Sequence, residues 1–562
     1  MNRKFVATAA AFLAAACTTV PPSPSQPAAP IEVQILAIND FHGNLEPSQA
    51  PIKVQLVNGQ FATDTLGGAA VIGAELRKLR GHRPYTITVA AGDLIGASPL
   101  NSAYFLDEPT IDAMNLMGLE LASVGNHEFD KGSAELLRMQ NGGCEKFTTR
   151  IPCRIESFEG ARFRYLGANV LKADGSPLFP PTAVHDFGPI RIGFIGMTLK
   201  DTGTLVTPAG VAGLHFADEA ATANALVAQL KGQGADAIVL LIHQGGRTPE
   251  TYKAGDCNGL SGDILPILDK LDPSIATIVS GHTHNAYACE LDRGGAHRLL
   301  TSAGKYGYFV TDVRLVFDPA THRLIAQHAQ NAPMTSSEIA PGGPIAELVK
   351  RYTDAAAPAA ARVVGKLRGN APKSETDDES PAANLIADAQ FAATKTKDRG
   401  GADLSFINAT GVRVGIEPSP DGSVTYGQIF AMQPFGNNLV VKTLSGAQLK
   451  ALLEQQFKVV SGGPKVVSLL VPSQNFRFAY DMSQPEGQRI VSMILKGRPI
   501  DPARSYRVSV NNFLASGGDG FSVLAEGTDT FDAGLDLDAL EAWLATNPAS
   551  PPVGRTNDVT PR

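Results

Sequence analysis

From residue 31 onward, short apolar runs alternate with amphipathic stretches, the pattern of an α/β layered chain in which strands and helices take turns. In GGAAVIGAELRKLRG (67–81) apolar residues recur at helical spacing, basic residues fill the last turn and Gly81 stops the helix. DEPTIDAMNLMG (107–118) has an acidic start, Pro109 in the first turn and Gly118 at the end, so it predicts a second helix. The apolar runs between such helices predict strands.

Those runs end in an unusual way. ILAINDFHGNLEP (35–47) stops at Asp40, His42 and Asn44, polar groups for which a sheet core has no use. TITVAAGD ends at Asp93, ELASVGNHEFD at Asn126, His127 and Asp130, DAIVLLIH at His243, and SIATIVSGHTH at His282 and His284. In an open α/β sheet the loops beyond the carboxyl ends of the strands form the ligand crevice, so residues far apart in sequence can meet there. Carboxylate, imidazole and amide oxygen suit zinc, manganese or iron, whereas calcium would call for oxygens almost throughout. Seven of these groups would already exceed the needs of one four-coordinate ion. Two ions ~3.5–4 Å apart, sharing one carboxylate and a water, would use them all and suit in-line displacement at phosphorus. His82, His185, His215, His297, His322 and His328 lie outside these strand ends and read as surface or packing residues.

The texture changes at 332–365, where APMTSSEIAPGGP predicts a loop and IAELVKRYTDAAAPAAARVV a linker helix interrupted near Pro358. A second domain follows over 366–548, and 549–562 reads as a tail. Two domains agree with a length of 562 residues, too great for one typical core. Hydrophobic residues make up 43% and charged residues 18%, a globular balance. The formal net charge of -7 gives no sign of a nucleic-acid groove or a basic membrane face.

Residues 1–30 stand apart from the fold. Asn2-Arg3-Lys4 supplies a positive start, Phe5 to Ala16 is apolar but too short to span a bilayer, and LAAAC (13–17) ends in small residues. This is an export signal, and small residues before Cys17 resemble a bacterial lipobox, which makes Cys17 a lipidation candidate. TTVPPSPSQPAAP then reads as an extended tether. The remaining cysteines number four, Cys144, Cys153, Cys257 and Cys289, and an oxidising compartment would pair them. Sequence neighbours suggest Cys144 with Cys153 and Cys257 with Cys289, although four cysteines allow three pairings.

Taken in order, DFHGN (40–44), GDLIGAS (92–98), GNHEFD (125–130), IHQGG (242–246) and GHTHN (281–285) resemble the calcineurin-like metallophosphoesterases, specifically the secreted 5'-nucleotidase and UDP-sugar hydrolase family. ESPAANLIADAQ (379–390), FINATGVR (406–413), MQPFGNNL (432–439) and NNFLASGGDGF (511–521) resemble that family's C-terminal domain. The resemblance implies an α/β fold: an N-terminal four-layer αββα calcineurin-like domain over 31–331, a linker helix, and a smaller α+β nucleotide-binding domain. It implies that Asp40, His42, Asp93 and His284 hold one divalent metal and that Asp93, Asn126, His243 and His282 hold the other, with His127 and Asp130 as catalytic pair. By the same resemblance Phe435 and Phe513 sandwich the base, Asp519 meets the ribose hydroxyls, and Asn408 and Arg413 contact substrate.

The activity so implied is an exported hydrolase of phosphoric esters, releasing phosphate from nucleoside 5'-monophosphates by attack of metal-bound hydroxide. A 2',3'-cyclic-nucleotide phosphodiesterase with 3'-nucleotidase activity, or a UDP-sugar hydrolase, would share the motifs. A non-catalytic surface nucleotide-binding protein is a third alternative. The expected setting is a monomer in the periplasm or lipid-anchored at the cell envelope, touching the membrane only through Cys17. One departure stands out: the family's arginines just before the NLIADA-like helix are missing, no Arg following Arg368, and Asp377, Asp378 and Glu379 make that stretch acidic. FINATGVR also carries Ala409-Thr410 where glycines are common in the family.

Overall fold

The structure, a computed structural model, describes residues 29–81, 83–148, 150–206, 208–249, 257–336, 342–376, 378–460, 463–466 and 468–561. The export signal and Cys17 lie outside the described residues, as do His82 and Asp377.

Two six-stranded sheets stack face to face in the first domain. One runs in the order Leu324–Pro333, Phe309–Phe317, Ile31–Ile38, Thr86–Ala91, Leu121–Ser123, Arg164–Leu166; the other runs Ala286–Arg293, Ala296–Ala303, Ile275–Ser280, Ala237–His243, Ile190–Thr198, Thr182–Phe187. Alternation along Ile31–Ile38 sends Val33, Ile35 and Ala37 into the space between the sheets, against Phe194, Leu241 and Val279. Leu36 and Ile38 face outward onto helices that supply Ile72, Leu76, Ile111 and Met114. On the far side Leu240, Ile242 and Ile278 meet Ala223, Val227 and Leu230 of the helix Glu219–Gly232. Strands covered on both faces explain the unbroken apolar runs. The four layers are the αββα arrangement the motifs implied.

The two sequence-predicted helices form as Ala69–Arg80 and Glu108–Met117, closed by Gly81 (φ 49°) and Gly118 (φ 72°). The third departs from expectation. Pro344–Ala360 is one continuous helix with Pro358 inside it, not an interrupted one. Pro358 lies in the final turn: it forfeits the N–H bond to the Asp354 carbonyl and its ring crowds that carbonyl, but only Ala359 and Ala360 follow, so little helix remains to be displaced. Ile345, Leu348, Tyr352 and Ala356 bury this helix in the first domain's helical core, so it is part of that layer and not a free connector.

The second domain gathers a core around a five-stranded and a four-stranded sheet. Its five-stranded sheet runs Leu470–Pro472, Leu404–Asn408, Ser505–Asn511, Asn438–Ser445, Thr528–Leu535, and the helix Pro381–Thr394 packs on it, capped by Ser380. The expected tail at 549–562 is corrected: Thr556–Asp558 pairs in parallel with Phe476–Tyr480 and Arg555 forms a buried ion pair with Asp388 at 2.7 Å. Cys144–Cys153 and Cys257–Cys289 are disulfides, the pairing suggested by sequence neighbours. Among the described residues no helix is long and apolar enough to cross a membrane.

Candidate active site at the strand ends

The structure brings the strand-end residues close together, and their backbone shows what that convergence demands. Asp40 (φ 49°), His42 (47°), Asp93 (51°), His282 (72°) and His284 (61°) all adopt the left-handed region, which side chains other than glycine enter only when their surroundings enforce it. The enforcement is visible. Asp40 N–H donates to the carbonyl of Gly92 (3.0 Å) and His42 N–H to that of Asp93 (3.0 Å), lacing two strand-end loops together. Gly125 is needed for proximity, since a Cβ there would stand 2.2 Å from Asp93 Oδ1.

Three overlapping clusters result: Asp40, His42 and His284; Asp93, His243 and His282; and His42, Asp93 and His127. Asp93 faces both ends, its Oδ2 lying 3.7 Å from His42 Nε2 and 2.9 Å from His243 Nε2. Asn126 joins through Oδ1, 3.2 Å from His282 Nδ1. The tautomers are set from behind. His243 Nδ1 donates to the Ala91 carbonyl (2.7 Å) and His42 Nδ1 to the Gly96 carbonyl (2.9 Å). Each Nε2 therefore points inward.

Burial pushes His42 and His282 down to about 3 and holds His284 well below its ordinary value, keeping these imidazoles neutral. For His243 burial also works against charge, yet the Asp93 carboxylate beside it prevails and holds it up at about 10, so a cation binding at Nε2 would displace a proton there. Buried His243 Nε2 makes no well-aligned hydrogen bond despite the nearness of Asp93, and His42 Nε2 sits 3.1 Å from His284 Nε2. Nitrogens bound to one ion at ~2.0–2.1 Å stand about this far apart, so the donor set fits the divalent cations that the fold implies.

His127 sits at the rim. Its Nδ1 bonds Asp130 Oδ2 at 2.7 Å, and Arg413 Nη2 of the second domain donates to its Nε2 at 3.2 Å. Burial lowers its affinity for a proton, but Asp130 and Asp93 together outweigh this and raise it above the ordinary range, against the opposing Arg413 guanidinium. Phe435 lies nearly parallel to the His127 ring, 6.2 Å away at 17°, with Arg413 stacked on its face at 5.2 Å. Asp519 (φ 55°) accepts from Asn408 Nδ2 and Thr410 Oγ1, both at 2.7 Å, so Thr410 has a use where the family pattern has glycine. Phe513 rests against Gly518, where a Cβ would come within 2.5 Å of its ring.

Within the acidic stretch before the NLIADA helix, Glu379 has a structural role. Its carboxylate accepts the backbone N–H groups of Gly554 (3.0 Å), Arg555 (2.9 Å) and Thr556 (2.9 Å) and straps the final strand to the domain. Sequence reasoning missed two other contributors. Glu128, buried within GNHEFD, accepts from the N–H groups of Gly125 (2.6 Å), Asp93 (2.9 Å) and Leu94 (2.8 Å), tying the loops of two strands. Tyr306 donates its N–H to the Asp40 carbonyl (2.7 Å), sets its ring 5.7 Å from His284 and carries Lys305 Nζ 4.8 Å above it. TSAGKYG was legible by the same signal as the rest, polar residues directly after an apolar run.

A four-layer αββα domain with imidazoles and carboxylates at its strand ends defines a metallophosphoesterase. Residues 33–286 match the calcineurin-like phosphoesterase family and residues 359–526 the 5'-nucleotidase C-terminal domain. The chain belongs to the 5'-nucleotidase family of calcineurin-like phosphoesterases. It is similar to a 5'-nucleotidase precursor of Thermus thermophilus, with 26% identity and TM-score 0.74 over 94% of this chain and 99% of that one. A probable 5'-nucleotidase of Treponema pallidum is 25% identical over 548 residues, 88% of each chain. An endonuclease of Bacillus subtilis is 28% identical over 86% of this chain, which spans only 37% of that relative's length.

Proposed function

We propose that the protein hydrolyses nucleoside 5'-monophosphates to nucleoside and phosphate outside the cytoplasm, as a monomer held at the cell envelope by lipid on Cys17. One observation carries this reading: Arg413 and Phe435, from the nucleotidase-type domain, close directly onto His127 of the histidine and carboxylate cradle. A phosphate on the cradle and a base against Phe435 would then belong to one small molecule.

Asp40, His42, Asp93 and His284 would hold one divalent cation, zinc or manganese, and Asp93, Asn126, His243 and His282 the other. When bound, such ions acidify water and neutralise phosphate charge. The chain supplies the rest. Ala91 and Gly96 carbonyls keep His243 and His42 in the tautomer that offers Nε2. Asp130 orients His127, whose raised proton affinity suits donation from Nε2 to the departing ribose oxygen. Arg413 would move from His127 onto phosphate oxygens, a bidentate match for its planar fork. Phe435 and Phe513 would grip the base, and Asp519 the ribose.

A second reading is favoured by one observation. The stretch just before the NLIADA helix lacks the family's arginines, and Glu379 within it is committed to the C-terminal strand. A cyclic nucleotide or a nucleotide sugar would demand less of that terminal-phosphate contact. The test is phosphate and nucleoside release from AMP, UMP, 2',3'-cyclic AMP and UDP-glucose, with manganese or zinc and with EDTA. Preference for monophosphates, lost in EDTA, supports the first reading. Preference for the cyclic ester or the sugar supports the second.

A further inference from the structure

The loop closed by Cys144–Cys153 lies outside the cradle, yet it reaches the second domain. Arg150 within it donates from Nη1 to the Ala103 carbonyl at 2.6 Å and stacks 5.4 Å above the ring of Phe430. Ala103 ends the short helix Leu100–Ala103 of the first domain, and Leu100 and Ala103 are packed into the second domain's core. Phe430 belongs to the second domain's helix Tyr426–Met432. Just past the bridge, Arg154 stacks 4.2 Å above Tyr104, whose ring packs against the cores of both domains. The loop itself is anchored in the first domain: Cys153 N–H donates to Glu108 (3.0 Å), and Arg138 bonds both Glu108 and the Gly143 carbonyl at 2.8 Å.

The helix that Arg150 grips leads straight to the site. The carbonyl of Met432, its last residue, accepts the Arg413 N–H at 3.0 Å, and Phe435 follows a few residues later. Arg413 and Phe435 are the two groups that meet His127. We infer that Arg150, presented by the disulfide-closed loop, is a positioning residue that clasps the helix Tyr426–Met432 so that Arg413 and Phe435 stay in register with His127. This deepens the nucleotidase reading and rests on it. The guanidinium is suited to the task because it can bond a carbonyl in its plane while its face lies on an aromatic ring. The bridge joins cysteines only 9 apart in sequence, and a loop closed so tightly holds that plane in place. Without the bridge Arg150 has no fixed approach to Phe430.

The test compares Arg150→Met and Arg150→Lys with the unaltered protein on AMP and on p-nitrophenyl phosphate, a phosphate monoester without a nucleoside. Loss of a cation–π contact and one hydrogen bond predicts a rise of about tenfold in KM for AMP in Arg150→Met, with partial rescue in Arg150→Lys. Hydrolysis of p-nitrophenyl phosphate should change less than that of AMP, because that ester offers Phe435 no base and feels the clasp only through Arg413. Replacing both Cys144 and Cys153 by serine should reproduce the Arg150→Met effect and add nothing to it in the triple variant. Small-angle scattering of the nucleotide-free chain reads the clasp without activity, and Arg150→Met should enlarge the radius of gyration. Unchanged KM together with unchanged scattering overturns the clasp. Wild-type protein inactive on both esters sinks the nucleotidase reading instead, and the scattering result then decides the clasp alone.

Discussion

The two halves of the site are built on opposite plans. The cradle of the first domain is buried and over-determined: Asp40, His42, Asp93 and His243 are at most 1% exposed, several in left-handed backbone and tied by main-chain bonds to a neighbouring loop. The end of the second domain proposed to take the nucleotide is half-exposed, and it reaches the cradle through Arg413 and Phe435, leaning across to His127. Preorganisation is concentrated where charge must be held, because ligand atoms displaced by a fraction of an ångström lose a cation. Recognition of a flat base through its face tolerates looser placement.

The largest effect should come from attacking the cradle. Chelation strips the cations and Asp93→Ala removes a carboxylate that faces both clusters, and either should lower hydrolysis of any phosphoester by at least ~10³-fold. Bound zinc or manganese counted by mass spectrometry should drop in parallel. Full activity in a metal-free Asp93→Ala protein would break the contrast at its root. Glu128→Gln probes the same plan more gently. Its carboxylate accepts the N–H groups of Gly125, Asp93 and Leu94, so metal affinity should weaken by ~10–100-fold while the fold persists. Competition with a chelator of known affinity reads this directly, and unaltered affinity would show that the loops need no staple.

The nucleotide end should respond differently. Phe435→Ala removes a ring proposed to stack on the base and should cost about 1–3 kcal/mol in KM for AMP, leaving p-nitrophenyl phosphate nearly untouched. Equal losses on both esters would mean that Phe435 serves the cradle by holding His127 and not the base.

This contrast also governs what the sequence could reveal. The cradle was legible because five apolar runs each ended in a ligand-type residue, and residues of such restricted chemistry at strand ends have few other uses. The four layers followed from unbroken apolar strands separated by capped helices. Glu128 was hidden because its role is to accept backbone N–H groups, and backbone geometry leaves no trace in side-chain pattern. The C-terminal strand was read as a tail because TND is too short to alternate; its place depends on Glu379 and Asp388, each far away in sequence. The continuous helix through Pro358 shows the same limit, since the proline's cost depends on how soon the helix ends.

The mildest test sets two buried carboxylates against each other. Asp93 loses solvation on burial, but His243 and the other imidazoles around it hold its pKa well below the ordinary range. Asp536, fully enclosed in the second domain, receives no such help from a cation. Burial pushes it from 3.8 up to about 8, with only backbone bonds opposing. Its Oδ1 is unpartnered, and Oδ2 meets Gln433 Nε2 at 3.4 Å. Between those pH values the folded chain keeps a proton that the unfolded chain has released. Stability from this group is therefore greatest below about pH 4, falls as pH rises through the window and levels off above about 8. Asp536→Asn carries no titrating proton, so it should remove that slope and gain at least ~1 kcal/mol at pH 8, seen as a rise of about 2 °C in Tm. A variant whose Tm tracks the parent across the whole range would mean that Asp536 is solvated after all, and that the second domain, like the first, leaves no buried charge uncompensated.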